Sequence, residues 1–414
     1  MTTTVQKTVT RVKGLGGLMA GFFGVQLFVN IANGGGANSL VPNAIAHLDP
    51  THKVEILGLV GAAAAVGAVI TQPIWGLLSD RTRSGLGRRV PWILAGVVGL
   101  VLVLIAFAAS NSIVLIIILA TLFAIFYSMI GGPLSAIIPD RAPVARRGLF
   151  AALGSLGVFI GGLIGVIVAS QFVSKLPVGF LVLAVVALVS IPFAFKLRDR
   201  KLDEITPSTR ISWVETLKGF FVSPRKHPDF FWAFIARLVL IVGFWSVSSF
   251  QLYILDDYIG LGLKKANAVF PIVTAVLAIT IIIALVPTGI ISDRIGRRKP
   301  FVIIASLVVG AGALVPIFLP TVAGAIISIG IIGLGVGTYL AVDQALMTQV
   351  LPNASTSAGK DLGILNIAQA GGQVISPLIA SLMIGLGGYP TLYVFAAVAA
   401  LLAGVAVLPI KSVR

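Results

Sequence analysis

A basic segment flanked by long apolar stretches occurs twice in this chain, at an offset of 213 residues. The first copy, GLLSDRTRSGLGRRVPW, runs from Gly76 to Trp92, and the second, GIISDRIGRRKPF, runs from Gly289 to Phe301. Both contain Ser-Asp-Arg, then a Gly-Arg-Arg cluster and a proline. A loop duplicated at a fixed offset in an apolar chain predicts two homologous halves of a membrane protein.

The apolar stretches themselves define the class of protein. The 414 residues are 57% hydrophobic and 11% charged, whereas a soluble domain carries about 25% charged residues. Apolar runs of about 20 residues, enough to cross the hydrocarbon core of a bilayer, recur along the whole chain. We therefore expect an all-α membrane protein with twelve transmembrane helices in two six-helix bundles related by a pseudo-twofold axis.

The predicted domains follow from the one long polar segment. Residues 1–195 are expected to form an N-terminal six-helix bundle and residues 230–414 a C-terminal one. Helices 1 to 5 are expected at 15–46, 55–78, 91–109, 113–138 and 149–172, with helix 6 ending near 195, and helices 7 to 12 at 230–258, 266–291, 300–319, 321–351, 361–385 and 391–410. Residues 196–229, rich in charge and proline, are expected to form a cytoplasmic linker, in which 212–221 has the spacing of an amphipathic surface helix. The first span is expected to be interrupted at Asn33–Gly36.

The placement of positive charge predicts the topology. The formal net charge is +16, and 25 of the 30 Lys and Arg residues fall on one side of the predicted spans. This asymmetry is the positive-inside rule, which places both termini in the cytoplasm and the protein in the cell (inner) membrane. The charge excess is thus explained without a nucleic-acid partner. The chain has no cysteine, so it has no disulfide, and the first apolar run is expected to be a retained span.

The duplicated loops resemble the Gly-x-x-x-Asp-Arg-x-Gly-Arg-Arg signature of the major facilitator superfamily. Within this superfamily, the chain resembles the glycoside–pentoside–hexuronide:cation symporters and the related plant sucrose:proton symporters. The motifs that carry this resemblance are Gln72-Pro73, the segments 79–84 and 87–92, Pro139-Asp140 and Arg147-Gly148. The resemblance implies the major facilitator fold, alternating access around a central cavity, and a sugar or glycoside carried with a cation by a monomer. The acidic residues that melibiose-type carriers have in helices 2 and 4, and plant sucrose carriers in helix 1, are missing from this sequence.

A gating role for the duplicated loops is also implied by the resemblance. Asp80 would meet the start of helix 11 and Asp293 the start of helix 5, closing the cytoplasmic side. The alternative is that the arginines bind anionic lipid and only set the topology. The predicted gating residues are Gly76, Asp80, Arg81, Arg88, Arg89, Gly289, Asp293, Arg294, Arg297 and Arg298.

Polar side chains inside the predicted spans indicate a binding site. Amides in hydrocarbon must find partners, so those of helix 1 and helix 11 either bind sugar hydroxyls or join helices. Aromatic rings with a polar atom stack on sugar rings. The predicted substrate-binding residues are Gln26, Asn30, Asn33, Tyr127, Arg237, Trp245, Ser248, Gln251, Tyr339, Asn366 and Gln369.

Two charged residues are predicted within spans, at a similar depth of roughly 10–12 Å from the cytoplasmic surface. Arg237 in helix 7 and Asp343 in helix 10 are expected to form an ion pair, because either charge alone would be costly there. The pair is either the proton-coupling element or a static structural pair. At the outer end of helix 7, Asp256 and Asp257 are expected to form a solvated cluster near Lys264 and Lys265, or else an outer gate.

The sequence thus predicts a secondary active transporter that imports a sugar or glycoside with protons. The alternatives are a proton-coupled exporter of drugs or metabolites, a passive sugar facilitator, and a non-transporting receptor of the same fold. An enzyme is not expected, because none of the three histidines lies within a span and no phosphate-binding loop motif is present. No cofactor or metal site is predicted.

Overall fold

The computed structural model describes residues 15–143, 146–198, 227–349 and 358–410. The described residues are almost entirely helical and include no β-strand. Most of the predicted linker, including the amphipathic helix expected at 212–221, lies outside the described residues, and the exact domain boundaries stay predictions.

Within the described ranges, eleven helical segments are long and apolar enough to cross a membrane. The last of them contains two spans, because Gly387 and Gly388 leave the helical conformation and Gly388 takes a positive φ of 74°. The spans are α1 (Leu15–Leu48), α2 (Lys53–Arg81), α3 (Val90–Ala108), α4 (Ile113–Arg141), α5 (Arg147–Ser170), α6 (Val173–Lys196), α7 (Pro228–Ser249), α8 (Leu263–Ile295), α9 (Lys299–Phe318), α10 (Val322–Gln349), and α11 and α12, which share Ala358–Ala406 and meet at the two glycines.

The connections lie at two opposite faces of the bundle. We call the face with the loops at 82–89 and 296–298 the basic face, and the face with the turns at 49–52, 109–112, 259–262 and 319–321 the far face. The charge distribution predicts that the basic face is cytoplasmic.

The two halves use the same set of helix pairings. In the first half α1 packs on α5, α2 on α4, and α3 on both α4 and α6. In the second half α7 packs on α11, α8 on α10, and α9 on both α10 and α12. Two pairings join the halves, α2 with α11 and α5 with α8. This correspondence is the predicted pseudo-twofold relation between two six-helix bundles.

Glycines bring the backbones of α1 and α5 into contact. A Cβ atom at Gly161 would lie 2.5 Å from the carbonyl oxygen of Leu27, and one at Gly165 would lie 2.2 Å from that of Ile31. Membrane helices associate through such close packing of small residues, because lipid tails are as apolar as the side chains and the hydrophobic effect does not favour helix association.

The predicted break in α1 is wrong. The chain stays helical through Asn33 and passes instead through one π turn at Gly36–Leu40. A second π turn, Ile254–Tyr258, prolongs α7 at the far face. Both turns therefore lie in the far-face part of the first helix of a half, and π turns are frequent at functional sites.

Candidate substrate cavity and gates

A cavity of about 250 Å³ lies between the two halves. Helices α1 to α4 form most of its wall, while Ser249 of α7 and Pro377 of α11 close it from the second half. Leu57 and Phe107, near the far-face ends of α2 and α3, place the cavity towards the far face. We call it the central cavity.

Small side chains create the space. Gly61, Ala64 and Ala68 follow one another at helical spacing on α2, and Ala120 and Ala124 do so on α4. Only four of the nineteen lining residues have polar side chains, namely Asn33, Asn38, Tyr127 and Ser249, and the described lining contains no charged side chain. The cavity therefore favours a neutral ligand.

The amides of α1 have two different roles. The Tyr127 hydroxyl donates to Asn30 Oδ1 at 2.9 Å, and Asn30 Nδ2 donates to the Gln26 carbonyl oxygen at 2.7 Å. Asn30 is only 3% exposed, so it holds α1 to α4. Asn33 and Asn38 make no hydrogen bond within the described part of the chain, and both line the cavity. Of the three amides predicted on this face, only Asn33 lines the central cavity.

The ion pair predicted from the sequence is confirmed. Arg237 Nη2 lies 3.4 Å from Asp343 Oδ2, with the two side chains 3% and 2% exposed, and the same nitrogen donates to Gln369 Oε1. Three further polar atoms of this cluster are buried without a hydrogen-bond partner among the described residues, namely Arg237 Nε, Asp343 Oδ1 and the Tyr339 hydroxyl. Tyr339 lies one helical turn before Asp343 on α10. This cluster therefore has unused capacity for hydrogen bonding.

The ion pair is separate from the central cavity. Arg237 precedes Ser249 by twelve positions on α7, which is roughly 18 Å along a helix. Tyr339 and Gln369 belong to the ion-pair cluster and do not line the cavity either. The polar groups of the second half therefore form a second site, closer to the basic face.

The remaining predicted binding residues of α7 are not in the cavity wall. Trp245 packs edge-on against Phe244, the Ser248 hydroxyl is buried without a described partner, and Gln251 is buried beyond the end of α7. Ser249, the neighbour of Ser248, lines the cavity instead. The side chain of Asn366 lies outside the described residues.

A charged cluster joins the two halves at the far face. Lys53 Nζ at the start of α2 lies 2.5 Å from Asp256 Oδ2 and 2.7 Å from Asp257 Oδ1. The Tyr389 hydroxyl donates to Asp257 Oδ2 at 2.8 Å. The expected solvated cluster with Lys264 and Lys265 is therefore wrong, because both acids contact Lys53 instead. We call Lys53, Asp256, Asp257 and Tyr389 the far gate.

Neutral groups reinforce this closure. Asn43 and Asn267 exchange two side-chain hydrogen bonds across the halves, both of 2.8 Å, and both residues are buried. The Tyr253 hydroxyl donates to the Pro42 carbonyl oxygen at 2.8 Å. Sequence reasoning missed these contacts, although buried amides in apolar spans are a signal that partners exist.

The two glycines that begin the duplicated loops, Gly76 and Gly289, have open space in front of them among the described residues. A Cβ atom at Gly76 or Gly289 would meet no heavy atom within 4 Å, whereas one at Gly58, near the far face of α2, would lie 2.6 Å from the Ser381 Cβ of α11. No described residue approaches a Cβ atom at Gly76 or Gly289 within this distance, so the close approach expected there stays a prediction. Within the described residues, side-chain contacts join the halves at the far face, and none is described between the halves beside these two glycines.

The first duplicated loop forms its own charge network. Arg89 contacts Asp80 at 2.5 Å, Asp140 at 3.0 Å and the Ser79 hydroxyl at 2.6 Å, and Arg88 contacts Asp140 at 2.8 Å. Asp80 therefore has a partner within its own half.

The contacts predicted between the latch residues and the opposite half are not visible here. The side chains at the start of α11, and that of Asp293, lie outside the described residues. Three of the predicted gating arginines, Arg81, Arg294 and Arg297, are exposed, and Arg298 makes a contact of its own. The latch therefore stays a prediction.

Comparison with known proteins identifies the family. The family model of the Major Facilitator Superfamily matches residues 23–281 and 258–413, and the chain belongs to this superfamily. It is therefore a multi-pass membrane transporter of small molecules rather than an enzyme.

The fold is also found among solved structures. A crystal structure of a POT family transporter in complex with a thioalcohol-conjugated peptide has a TM-score of 0.74 and 14% identity, covering 94% of this chain and 95% of that chain. At this identity the likeness shows the fold alone. No curated protein matches the sequence.

Proposed function

We propose that this protein imports a neutral sugar or glycoside together with protons, by alternating access and as a monomer. The observation that carries the proposal is the asymmetry of the two faces. Lys53 of one half contacts Asp256 and Asp257 of the other at the far face, whereas at the basic face a Cβ atom at Gly76 or Gly289 would meet no described heavy atom within 4 Å.

The second state of the cycle would exchange these contacts. Rocking of the halves would separate Lys53 from the two acids and open the cavity to the far face. The same motion would bring α2 towards α11 and α8 towards α5 at the basic face. There Gly76 and Gly289 would allow close approach, and Asp80 and Asp293 would act as latches at helix N-termini.

The cavity chemistry supports a neutral substrate. Asn33 and Asn38 can each donate and accept hydrogen bonds, as sugar hydroxyls require. Tyr127 provides a ring against which the C–H face of a sugar can pack. The residues of the duplicated loop that resemble sugar:cation symporters support the same substrate class.

The buried ion pair supports proton coupling. Protonation of Asp343 would remove its attraction for Arg237 and free the guanidinium for its unused hydrogen bonds. Because the pair lies within the second half, this change would alter the packing of α7 against α10 and α11. The proton would thereby bias the equilibrium between the two states.

Uptake into proteoliposomes tests the proposal. A pH gradient, acidic outside, should drive accumulation of a radiolabelled sugar, and an uncoupler should abolish the accumulation. Asp343→Asn should lose the gradient-driven uptake and retain exchange of labelled for unlabelled sugar. Glu55→Gln, which changes an exposed acid on α2, is the matched control. Full gradient-driven uptake by Asp343→Asn would exclude the coupling role, and uptake insensitive to the uncoupler would indicate a facilitator.

A proton-coupled exporter of apolar compounds is the second candidate. It is favoured by one observation, the predominance of aliphatic and aromatic residues in the cavity lining. Transport measured in vesicles of both orientations separates the two functions, because an exporter moves its substrate against the direction of proton entry.

A further inference from the structure

The size of the central cavity limits what it can hold. Its volume is about 250 Å³, whereas pockets for drug-sized ligands occupy about 300–1,000 Å³. An engineered apolar cavity of about 150 Å³ binds benzene. The central cavity therefore accommodates a compact ligand rather than a chain of several rings.

One wall of the cavity is wholly apolar. Leu104 and Phe107 of α3 and Phe123 of α4, all buried, line it. Gly36 of α1 faces this wall, and a Cβ atom there would be in ordinary van der Waals contact with it, 3.5 Å from Leu104 and 3.8 Å from Phe123. We call the space in front of these three side chains the apolar recess.

The free amides border the recess on α1. Asn33 and Asn38 precede and follow Gly36 in the chain, and five residues of helix separate them by about 7 Å. Both side chains lack a hydrogen bond within the described residues. Free donors and acceptors therefore lie beside an apolar wall that has no hydrogen-bonding groups. A ligand that fills this site must combine an apolar ring with neutral polar groups beside it.

We infer that the apolar recess binds the aglycone of the substrate, and that the protein prefers glycosides with one compact apolar ring over free sugars. This inference rests on the proposed function, because it names the substrate class of the same cavity. The uncharged lining disfavours substrates that carry a carboxylate or an ammonium group, since a charge there would have no partner.

The test is binding by the full-length protein in lipid nanodiscs. Alkyl glycoside detergents must be absent during the measurement, because they join a sugar to an apolar chain and would compete. The probes are the phenyl and methyl glycosides of glucose and galactose in both anomeric forms, the free sugars, and benzyl alcohol. Burial of the phenyl ring should make the preferred phenyl glycoside bind about tenfold tighter than its methyl counterpart.

Three variants locate the effect in the cavity. Ala64→Ile adds volume to the cavity wall, whereas Ala63→Ile makes the same change beside it, outside the lining. The advantage of the phenyl over the methyl glycoside should disappear in Ala64→Ile and persist in Ala63→Ile. Gly36→Leu, which fills the recess from α1, should act like Ala64→Ile and provides a second variant if one of them folds poorly.

The outcomes separate this inference from the proposed function. Equal affinity for phenyl and methyl glycosides would overturn the recess as an aglycone site and leave glycoside transport intact. Binding of benzyl alcohol that Ala64→Ile abolishes, without binding of any glycoside or sugar, would support an apolar-ring site and overturn sugar transport. Failure of every probe to bind would overturn the recess as a ligand site.

Discussion

Lys53 and Asp256 lie 203 positions apart in the sequence, and their Nζ and Oδ2 atoms are 2.5 Å apart at the boundary between the two halves. Both side chains are only 11% exposed. An interaction across this boundary exists only while the far face is closed, so it stabilises one state of the transporter relative to the other. We therefore expect the far gate to set the resting balance between the two proposed states.

Lys53→Met should shift that balance towards the far-open state. The substitution leaves Asp256 and Asp257 without a cation, and removal of one partner from a buried ion pair costs about 3–5 kcal/mol. The chain has no native cysteine, so spin labels attached to cysteines introduced at Leu48 and Leu386, both exposed at the far face, report the separation of the halves. We expect a longer-distance population to increase more than tenfold.

Lys264→Met is the control for this shift, because Lys264 is an exposed lysine at the same face and has no ion pair in the described structure. Its distance distribution should match that of the parent. A Lys53→Met distribution identical to the parent would show that the far gate does not decide the state.

Gly58→Val and Gly76→Val should have opposite effects. A side chain at Gly58 collides with Ser381 in the structure, so its variant should disfavour the far-closed state. A side chain at Gly76 meets open space here, so its variant should keep this state and lose transport, because the basic face can no longer close. The same spin-label pair reads out both variants. Unimpaired uptake by Gly76→Val would argue against a close approach at the basic face.

The Asn43–Asn267 pair should show energetic coupling. Replacement of either residue by alanine leaves a buried amide without its cross-half partner, which costs about 1–3 kcal/mol. The double variant should therefore cost less than the sum of the single variants, by about 1 kcal/mol. The ratio of far-open to far-closed populations gives each free energy. Strict additivity would mean that the two amides do not interact across the halves in the closed state.

Loss of one partner of the Arg237–Asp343 pair should lower the stability of the folded protein. Arg237→Met leaves a carboxylate unpaired in a buried position, with an expected cost of about 3–5 kcal/mol. Arg237→Met combined with Asp343→Leu removes both charges and should recover most of the melting temperature in nanodiscs, but not the proton-driven uptake. Recovery of uptake in the double variant would indicate a static pair.

The membrane-spanning helices were predictable to within a few residues because each is an apolar run of sufficient length bounded by polar residues. Helix α7 was expected from residue 230 and begins at Pro228, and α9 was expected from residue 300 and begins at Lys299.

The interruption predicted at Asn33–Gly36 was wrong for a physical reason. Glycine and asparagine weaken helices in water, but unpaired backbone groups within a bilayer cost more, so α1 stays helical through a π turn.

The candidate site was predictable only in part. The Arg237–Asp343 pair followed from depth and charge, since two opposite charges in hydrocarbon must meet. The periodicity that placed Gln26, Asn30 and Asn33 on one face could not distinguish an amide bonded to Tyr127 from one facing a cavity. That distinction depends on the position of α4, which no local pattern in α1 encodes.

The sequence by itself determined twelve apolar spans, a duplication with an offset of 213 residues and the charge asymmetry of the loops, because these depend on local composition and on the cost of burying polar groups in lipid. Only the tertiary structure decided that Lys53 meets Asp256, that Asn43 meets Asn267 and that the cavity is closed at the far face. These contacts join segments more than 200 residues apart and depend on how two rigid bundles are tilted against each other, which the order of residues within one helix does not specify.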